Sequence, residues 1–237
     1  MIRIPLCDRL QPISLSVAAP VFNESAGIAA LIQHWHEFLV KQSNIKQFEI
    51  VLCNDGSQDN TGIILDELAG LYPEVQPIHF KRNQGAAAAL SAAIAKSKFA
   101  WVLLLDADNQ FPIENLPKMI TSLDASQALA VFGARNKKDS LFARFGSQAS
   151  GFICNLVHGS KIRDFNSAFK LVSGPLLRSL VLEAKGMNYS TEITSRLLEA
   201  QVPIVEINIE HQVRETGKSH MKWMRDSVHR LLFVGYI

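Results

Sequence analysis

The chain has 237 residues, of which 48% are hydrophobic and 19% charged, with 24 Lys and Arg against 22 Asp and Glu. A core-building composition of this kind excludes wholesale disorder, and a net charge of +2 excludes general nucleic-acid binding through a basic field. The length suits one large α/β domain or at most two small ones. The three cysteines, Cys7, Cys53 and Cys154, are far apart and form no disulfide framework, which fits a reducing compartment. No basic-then-apolar leader opens the chain, so no signal peptide is expected.

Apolar runs alternate with stretches of helical period. Ile13 to Ala18 reads as a strand. Asn23 to Val40 then places Ile28, Leu31, Ile32, Trp35 and Leu39 at helical spacing. Phe48 to Cys53 predicts a second strand, and Asp59 to Leu71 a helix capped by Asp59 or Asn60. Val75 to Phe80 predicts a third strand. The Ala-rich Gln84 to Lys96 is a helix favoured by intrinsic propensity. Ala100 to Leu105 is a strand, apolar throughout and therefore central. Ile113 to Leu123 is helical, and Leu129 to Gly133 is a strand. This rhythm argues a mostly parallel sheet with helices on both faces. After about residue 135 the rhythm changes. Leu141 to Val157 predicts a helix, Ala168 to Val172 a strand, Pro175 to Leu182 and Thr191 to Ala200 helices, and Ile204 to Ile209 a strand. Met221 onward is a basic amphipathic helix. Its end, Leu231 to Ile237, reads either as a helix terminus or as the stub of a longer membrane segment. The run Phe99 to Leu105 is too short to span a bilayer, which needs about 20 residues. The economical reading is one domain with two functional halves.

In open α/β sheets, ligands bind beyond the carboxyl ends of the strands. Here each such end carries polar residues: Pro20-Val21-Phe22-Asn23-Glu24, Asn54-Asp55-Gly56-Ser57, Lys81-Arg82-Asn83-Gln84-Gly85 and Asp106-Ala107-Asp108-Asn109-Gln110. The last is the strongest signal. An apolar strand runs straight into two carboxylates, and a hard divalent cation such as Mg²⁺ or Mn²⁺ relieves their repulsion while keeping substrate phosphates in its shell. Gln110 can add an amide oxygen. The plainer alternative is a solvated corner with helix-capping acids. Asn54-Asp55-Gly56-Ser57 is a plain turn, or Asp55 accepts from a base N–H. Glu24 is a first-turn helix acid or reaches a ribose or base edge. Neither GxGxxG nor GxxxxGK[ST] occurs, which argues against dinucleotide oxidoreductases and P-loop enzymes.

In this order and spacing, PVFNE, NDGSQDNT, NQG and DADNQFP resemble the family-2 glycosyltransferases with the GT-A fold. The resemblance continues through Gly133-Ala134-Arg135, the stretch Asp164 to Lys170 and the stretch Arg214 to Ser219. The DxDxQ form and the late R-x-x-G-x-S segment look most like the dolichol-phosphate mannose synthase branch and its bacterial polyprenyl-phosphate relatives. The resemblance implies one GT-A domain. Its nucleotide-sugar-binding half covers about 12–134, its acceptor half and closing loop about 135–219, and its amphipathic C-terminal helix about 220–237. It further implies that Pro20, Phe22 and Glu24 line a nucleoside pocket and that Asp55 reads the base. Asp106, Ala107 and Asp108 meet the diphosphate. Asp106, Asp108 and Gln110 hold the metal. Arg135 and Arg144 lie near the phosphates, and Arg214 and Ser219 belong to a loop that closes on the donor. Two departures stand out: His220 follows Ser219 where the branch often has Lys, and Ala168 stands where many relatives have Gly.

The reaction so implied is an inverting displacement at the anomeric carbon, with a metal and arginines stabilising the leaving nucleoside diphosphate. A hydroxyl acceptor needs a base within hydrogen-bond reach. A lipid monophosphate, with a second pKa of about 6, does not. It needs cations, for which Arg135, Lys137, Lys138 and Arg144 are placed in sequence. Hydroxyl-accepting relatives usually carry a Glu-Asp pair where this chain has Tyr189-Ser190-Thr191-Glu192. That favours a polyprenyl-phosphate acceptor at the inner, cytoplasmic face of the membrane, with the basic C-terminal helix as a peripheral contact. Three rivals remain. The first is a family-2 enzyme acting on a hydroxyl with Glu192 or Asp164 as base, although Glu192 also reads as a capping-box acid and Asp164 as the partner of a neighbouring Arg. The others are a non-catalytic nucleotide-binding relict and a nucleotidyltransferase, the latter lacking the expected Gly-rich loop after the first strand.

Overall fold

The polypeptide threads one sheet, and the computed structural model describes residues 12–135, 151–183 and 188–212 of it. The elements in chain order are β1 (Ile13–Val21), α1 (Ile28–Val40), β2 (Ile45–Asn54), α2 (Thr61–Leu71), β3 (Val75–His79), α3 (Ala86–Lys96) and β4 (Trp101–Leu104). A 3₁₀ turn (Ile113–Asn115) then leads into α4 (Leu116–Ser126) and β5 (Ala130–Arg135). Residues 151–158 are helical (α5). β6 (Lys170–Ser173), α6 (Gly174–Ser179), α7 (Tyr189–Glu199) and β7 (Ile204–Ile209) complete the described chain.

Among the described residues the sheet has seven strands in the order β3-β2-β1-β4-β6-β5-β7. The first four are parallel, as expected from their apolar runs separated by helices. β6 enters antiparallel between β4 and β5, and β7 pairs parallel to β5. β6 therefore carries its first residue, Lys170, to the carboxyl end of β4, opposite Leu104, and beside Phe132 of β5.

α1 buries Ile28, Leu31, Ile32, Trp35 and Leu39, the stripe set by its helical spacing. α3 lays its small residues Ala87, Ala89 and Ala93 against β1 and β2, which lets helix and sheet approach closely. β1 runs farther than its apolar pattern suggested, through Pro20 to Val21. Proline is tolerated in this inner strand because the β4 ladder ends at Ala18, on the side where the missing Pro20 N–H would have pointed. α1 in turn begins five residues later than Asn23, because Asn23 takes a left-handed φ of 54° and residues 23–25 bond to the neighbouring loop instead. α6 stops at Ser179 rather than Leu182, and α7 starts at Tyr189 rather than Thr191. Among the described residues no helix is long and apolar enough to cross a membrane. The expected C-terminal helix, Lys137, Lys138, Arg144, Arg214, Ser219 and most of the Leu141 to Val157 helix lie outside the described residues.

Candidate active site

The carboxyl ends of β1, β2 and β4 open on one rim, bordered by the loop after β3, and backbone hydrogen bonds lock its first half. Asn23 N–H donates to Ser57 Oγ at 2.9 Å, Glu24 N–H to Thr61 Oγ1 at 2.9 Å and Ser25 N–H to Asp59 Oδ2 at 3.1 Å. In return, Gln58 N–H donates to Asn23 Oδ1 at 2.8 Å. Asn60 is the N-cap residue of α2 but makes no side-chain cap bond; Asp59 before it supplies one instead, accepting from the Thr61 N–H and hydroxyl. Its slight burial works to raise its pKa, but the hydrogen bonds from Thr61 and Ser25 outweigh this and hold it at about 2. Pro20, Phe22 and Glu24 stand on this rim at the end of β1, half-buried.

Asp55 is buried, and its two oxygens accept from Gln84 N–H at 2.7 Å and Gly85 N–H at 2.9 Å. The residue expected to read a base has these two bonds to the loop after β3, which it organises. The two loops meet at Gly56. With φ at 68°, a Cβ there would lie 2.4 Å from the Arg82 carbonyl carbon, so only glycine fits. Cys53 sits behind this loop. Burial, reinforced by the charge of Asp55, pushes its thiol up to about 12, which makes it an inert core residue.

The second half of the rim is built from charges. Leu105 is the last core residue before Asp106. Burial and then the charge of Asp108 raise the Asp106 carboxyl to about 7, against the lowering effects of the Tyr189 hydrogen bond, Lys170 and Arg135. Asp108 turns its Oδ1 back to accept Gln110 N–H at 3.1 Å, while Asn109 between them takes φ of 57°. Gln110 presents its carbonyl to Gln212 N–H at 2.9 Å, tying this turn to the segment after β7.

The donor set suits a hard divalent cation. Two carboxylates repel one another at a strand end, and the side chain that could join them is an amide. With two carboxylates and one amide as its protein ligands, such an ion would keep positions for phosphate or water. Asp106, Asp108 and Gln110 therefore fit Mg²⁺ or Mn²⁺.

Beyond β4, Arg135 donates from Nε to Asp164 Oδ2 at 2.7 Å and from Nη2 to Oδ1 at 2.9 Å, a two-pronged pair with a buried partner. Asp164 is thus the partner of an arginine, the alternative reading of that residue. Glu192 is fully buried on α7, accepts Glu183 N–H at 2.7 Å and lies 3.7 Å from Arg196. Two residues that the motifs did not single out complete the rim. Tyr189 donates its hydroxyl to Asp106 Oδ1 at 2.5 Å, and its own pKa is raised well above 10.0, by burial first and then by the charge of Asp106. Lys170 is fully buried with its ammonium over the Phe132 ring at 5.0 Å. Burial drives its pKa down to about 7, opposed first by Asp164 and aided by Arg135. The available signal for Lys170 was one charge inside the apolar run Ala168 to Val172. Tyr189 carried no signal, because its partner lies 83 residues away.

Residues 16–178 match the family model described as glycosyl transferase family 2. The chain is 26% identical over 218 residues to dodecaprenyl-phosphate galacturonate synthase of Rhizobium johnstonii, covering 90% of this chain and 63% of that protein. It is 26% identical over 212 residues to undecaprenyl-phosphate 4-deoxy-4-formamido-L-arabinose transferase of Edwardsiella ictaluri, covering 89% and 64%. The chain thus spans a little under two thirds of these relatives. In fold it is similar to glucosyl-3-phosphoglycerate synthase from Mycobacterium tuberculosis, solved with Mn²⁺, UDP and glucosyl-3-phosphoglycerate. The TM-score is 0.71 at 18% identity, over 95% of this chain and 81% of that one.

Proposed function

The chain belongs to glycosyl transferase family 2, and from that premise we propose that it transfers a sugar, with inversion, from a nucleotide-sugar donor to a polyprenyl-phosphate acceptor. One observation carries the choice of acceptor. Both carboxylates available as a base are already engaged, Asp164 by the Arg135 guanidinium and Glu192 by the Glu183 N–H inside the core. A phosphate monoester is ionised near neutral pH and needs no base, so this arrangement suits it and penalises a hydroxyl. The names of the matched relatives point to the same acceptor class.

In this reading the stretch 12–134 receives the donor. Pro20, Phe22 and Glu24 line the nucleoside pocket, and Asp55 orders the loop beside it while offering its remaining lone pairs to the base. Asp106, Asp108 and Gln110 would hold Mg²⁺ or Mn²⁺, which would supply positive charge to the diphosphate. Arg135, oriented by Asp164, adds a fixed cation beside the reacting phosphates. A lipid phosphate oxygen attacks the anomeric carbon and forms the new C–O bond as the bond to the nucleoside diphosphate breaks. The segment from 135 on receives the acceptor at the inner membrane surface, with Arg144, Arg214 and Ser219 contributing from the sequence.

Transfer assays with UDP- and GDP-sugars, undecaprenyl phosphate and Mn²⁺ test this directly. Product is expected with the lipid phosphate, and Glu192→Gln is expected to turn over within a few-fold of wild type. Transfer to a lipid or saccharide hydroxyl, abolished by Glu192→Gln, would instead establish a base-catalysed hydroxyl acceptor.

A further inference from the structure

The first turn of α7 is clamped to the segment before β6 by side chains from both. Ser190 Oγ lies 2.6 Å from the Ser167 carbonyl and 3.1 Å from that of Phe165. Thr191 Oγ1 donates to Asn166 Oδ1 at 2.9 Å. The buried Lys170 ammonium donates to both Ser167 O and Ser190 Oγ, joining the two sides. Such a clamp is more than helix capping requires, since the side chains reach across 20 to 25 residues of sequence. The residue it immobilises at the start of the helix is Tyr189, 4% exposed, whose hydroxyl reaches Asp106. Asp106 Oδ1 accepts that bond, and its Oδ2 takes no hydrogen bond from the described residues.

A carboxylate at a strand end has a soft terminal torsion and swings freely unless a neighbour holds it. Cation sites depend on such neighbours, because an oriented carboxylate loses less freedom on binding. We propose that Tyr189 is a positioning residue for the cation site: its hydroxyl fixes the Asp106 carboxylate with Oδ2 turned to the ligand, and the Lys170–Ser190–Thr191 clamp fixes Tyr189. This rests on the reading of Asp106 as a cation ligand.

The probe is Mn²⁺, titrated by electron paramagnetic resonance in the presence of UDP or GDP. Tyr189→Phe removes one oxygen and keeps the ring, so the melting temperature is expected to change little. Mn²⁺ affinity is expected to fall about 10-fold or more. Nucleotide binding without metal should be unchanged, and turnover should recover at saturating Mn²⁺, which a merely structural lesion would not allow. Ser190→Ala, which loosens the clamp and leaves Tyr189 in place, should give a smaller loss in the same direction. Wild-type Mn²⁺ affinity in Tyr189→Phe, with affinity lost in Asp106→Asn, overturns the positioning role and leaves the cation site standing. Unchanged affinity in Asp106→Asn overturns both.

Discussion

The two halves of the rim are held by different forces. At the ends of β1 and β2 and in the loop after β3, short polar side chains accept from backbone N–H groups, and a left-handed glycine lets the loops touch. Around β4, β6, β5 and α7 the same work falls to charges, the buried Asp164 and Lys170 and the half-buried Asp106 and Arg135. The first half is bonded through backbone N–H groups, two of its acceptors being the Asp55 and Asp59 carboxylates, and is rigid by geometry. The second is poised, because each charge depends on its neighbours for the solvation it has lost. A rigid cradle suits the constant part of a donor, and a responsive cluster suits the atoms where charge moves.

Mutations sharpen this contrast. The largest effect is expected from Asp108→Ala, which should lower transfer by at least about 10³-fold if it removes a ligand to the departing diphosphate. Its far-ultraviolet circular dichroism and melting temperature should remain native. Unchanged turnover would remove the assignment. Next comes Arg135→Leu, which strands Asp164 in a buried site and should destabilise by about 3–5 kcal/mol in urea unfolding. A loss under 1 kcal/mol would mean that the half built on ion pairs is no more strained than the half built on backbone N–H bonds. Gly56→Ala probes the half built on backbone N–H bonds. Strain at positive φ and the clash with Arg82 should cost about 2–3 kcal/mol by the same measurement.

Smaller effects follow from protonation. With Asp106 at about 7, a proton competes with a cation below that pH. Mn²⁺ affinity should therefore rise as pH increases from 6 to 8, by up to about tenfold per unit below 7. Calorimetry at several pH values should also detect proton release on binding. Asp59 behaves oppositely with respect to stability. Its folded pKa of about 2 lies below the ordinary 3.8, so its stabilisation is present above about 4 and is lost as pH falls toward 2. Asp59→Ala should cost about 1 kcal/mol at neutral pH, the usual worth of a cap, and less near pH 2.

The difference in legibility follows the difference in forces. Asn54-Asp55-Gly56-Ser57 and Asp106-Ala107-Asp108 are local patterns whose turn chemistry and strand context are visible within ten residues, so the rim was readable. The stripe on α1 was readable for the same reason, since burial follows a fixed helical period. The late start of α1 was not, because Asn23 spends its side chain on Gln58 across 35 residues. Arg135 and Asp164 were both visible as motif residues, and their pairing was one alternative. Tyr189 and Lys170 stand out in no local pattern, because a hydroxyl and an amine gain meaning only from what they face.

The amino-acid order by itself determined the alternation of strands and helices, the parallel run β1 to β4, and the collection of carboxylates at the strand ends, because periodicity and turn preference act over a few residues. The tertiary structure alone decided that β6 enters antiparallel, that Lys170 thereby lies buried beside β4 and β5, and that Tyr189 meets Asp106. Strand pairing and burial of charge are settled by contacts across tens of residues, where no local preference reaches.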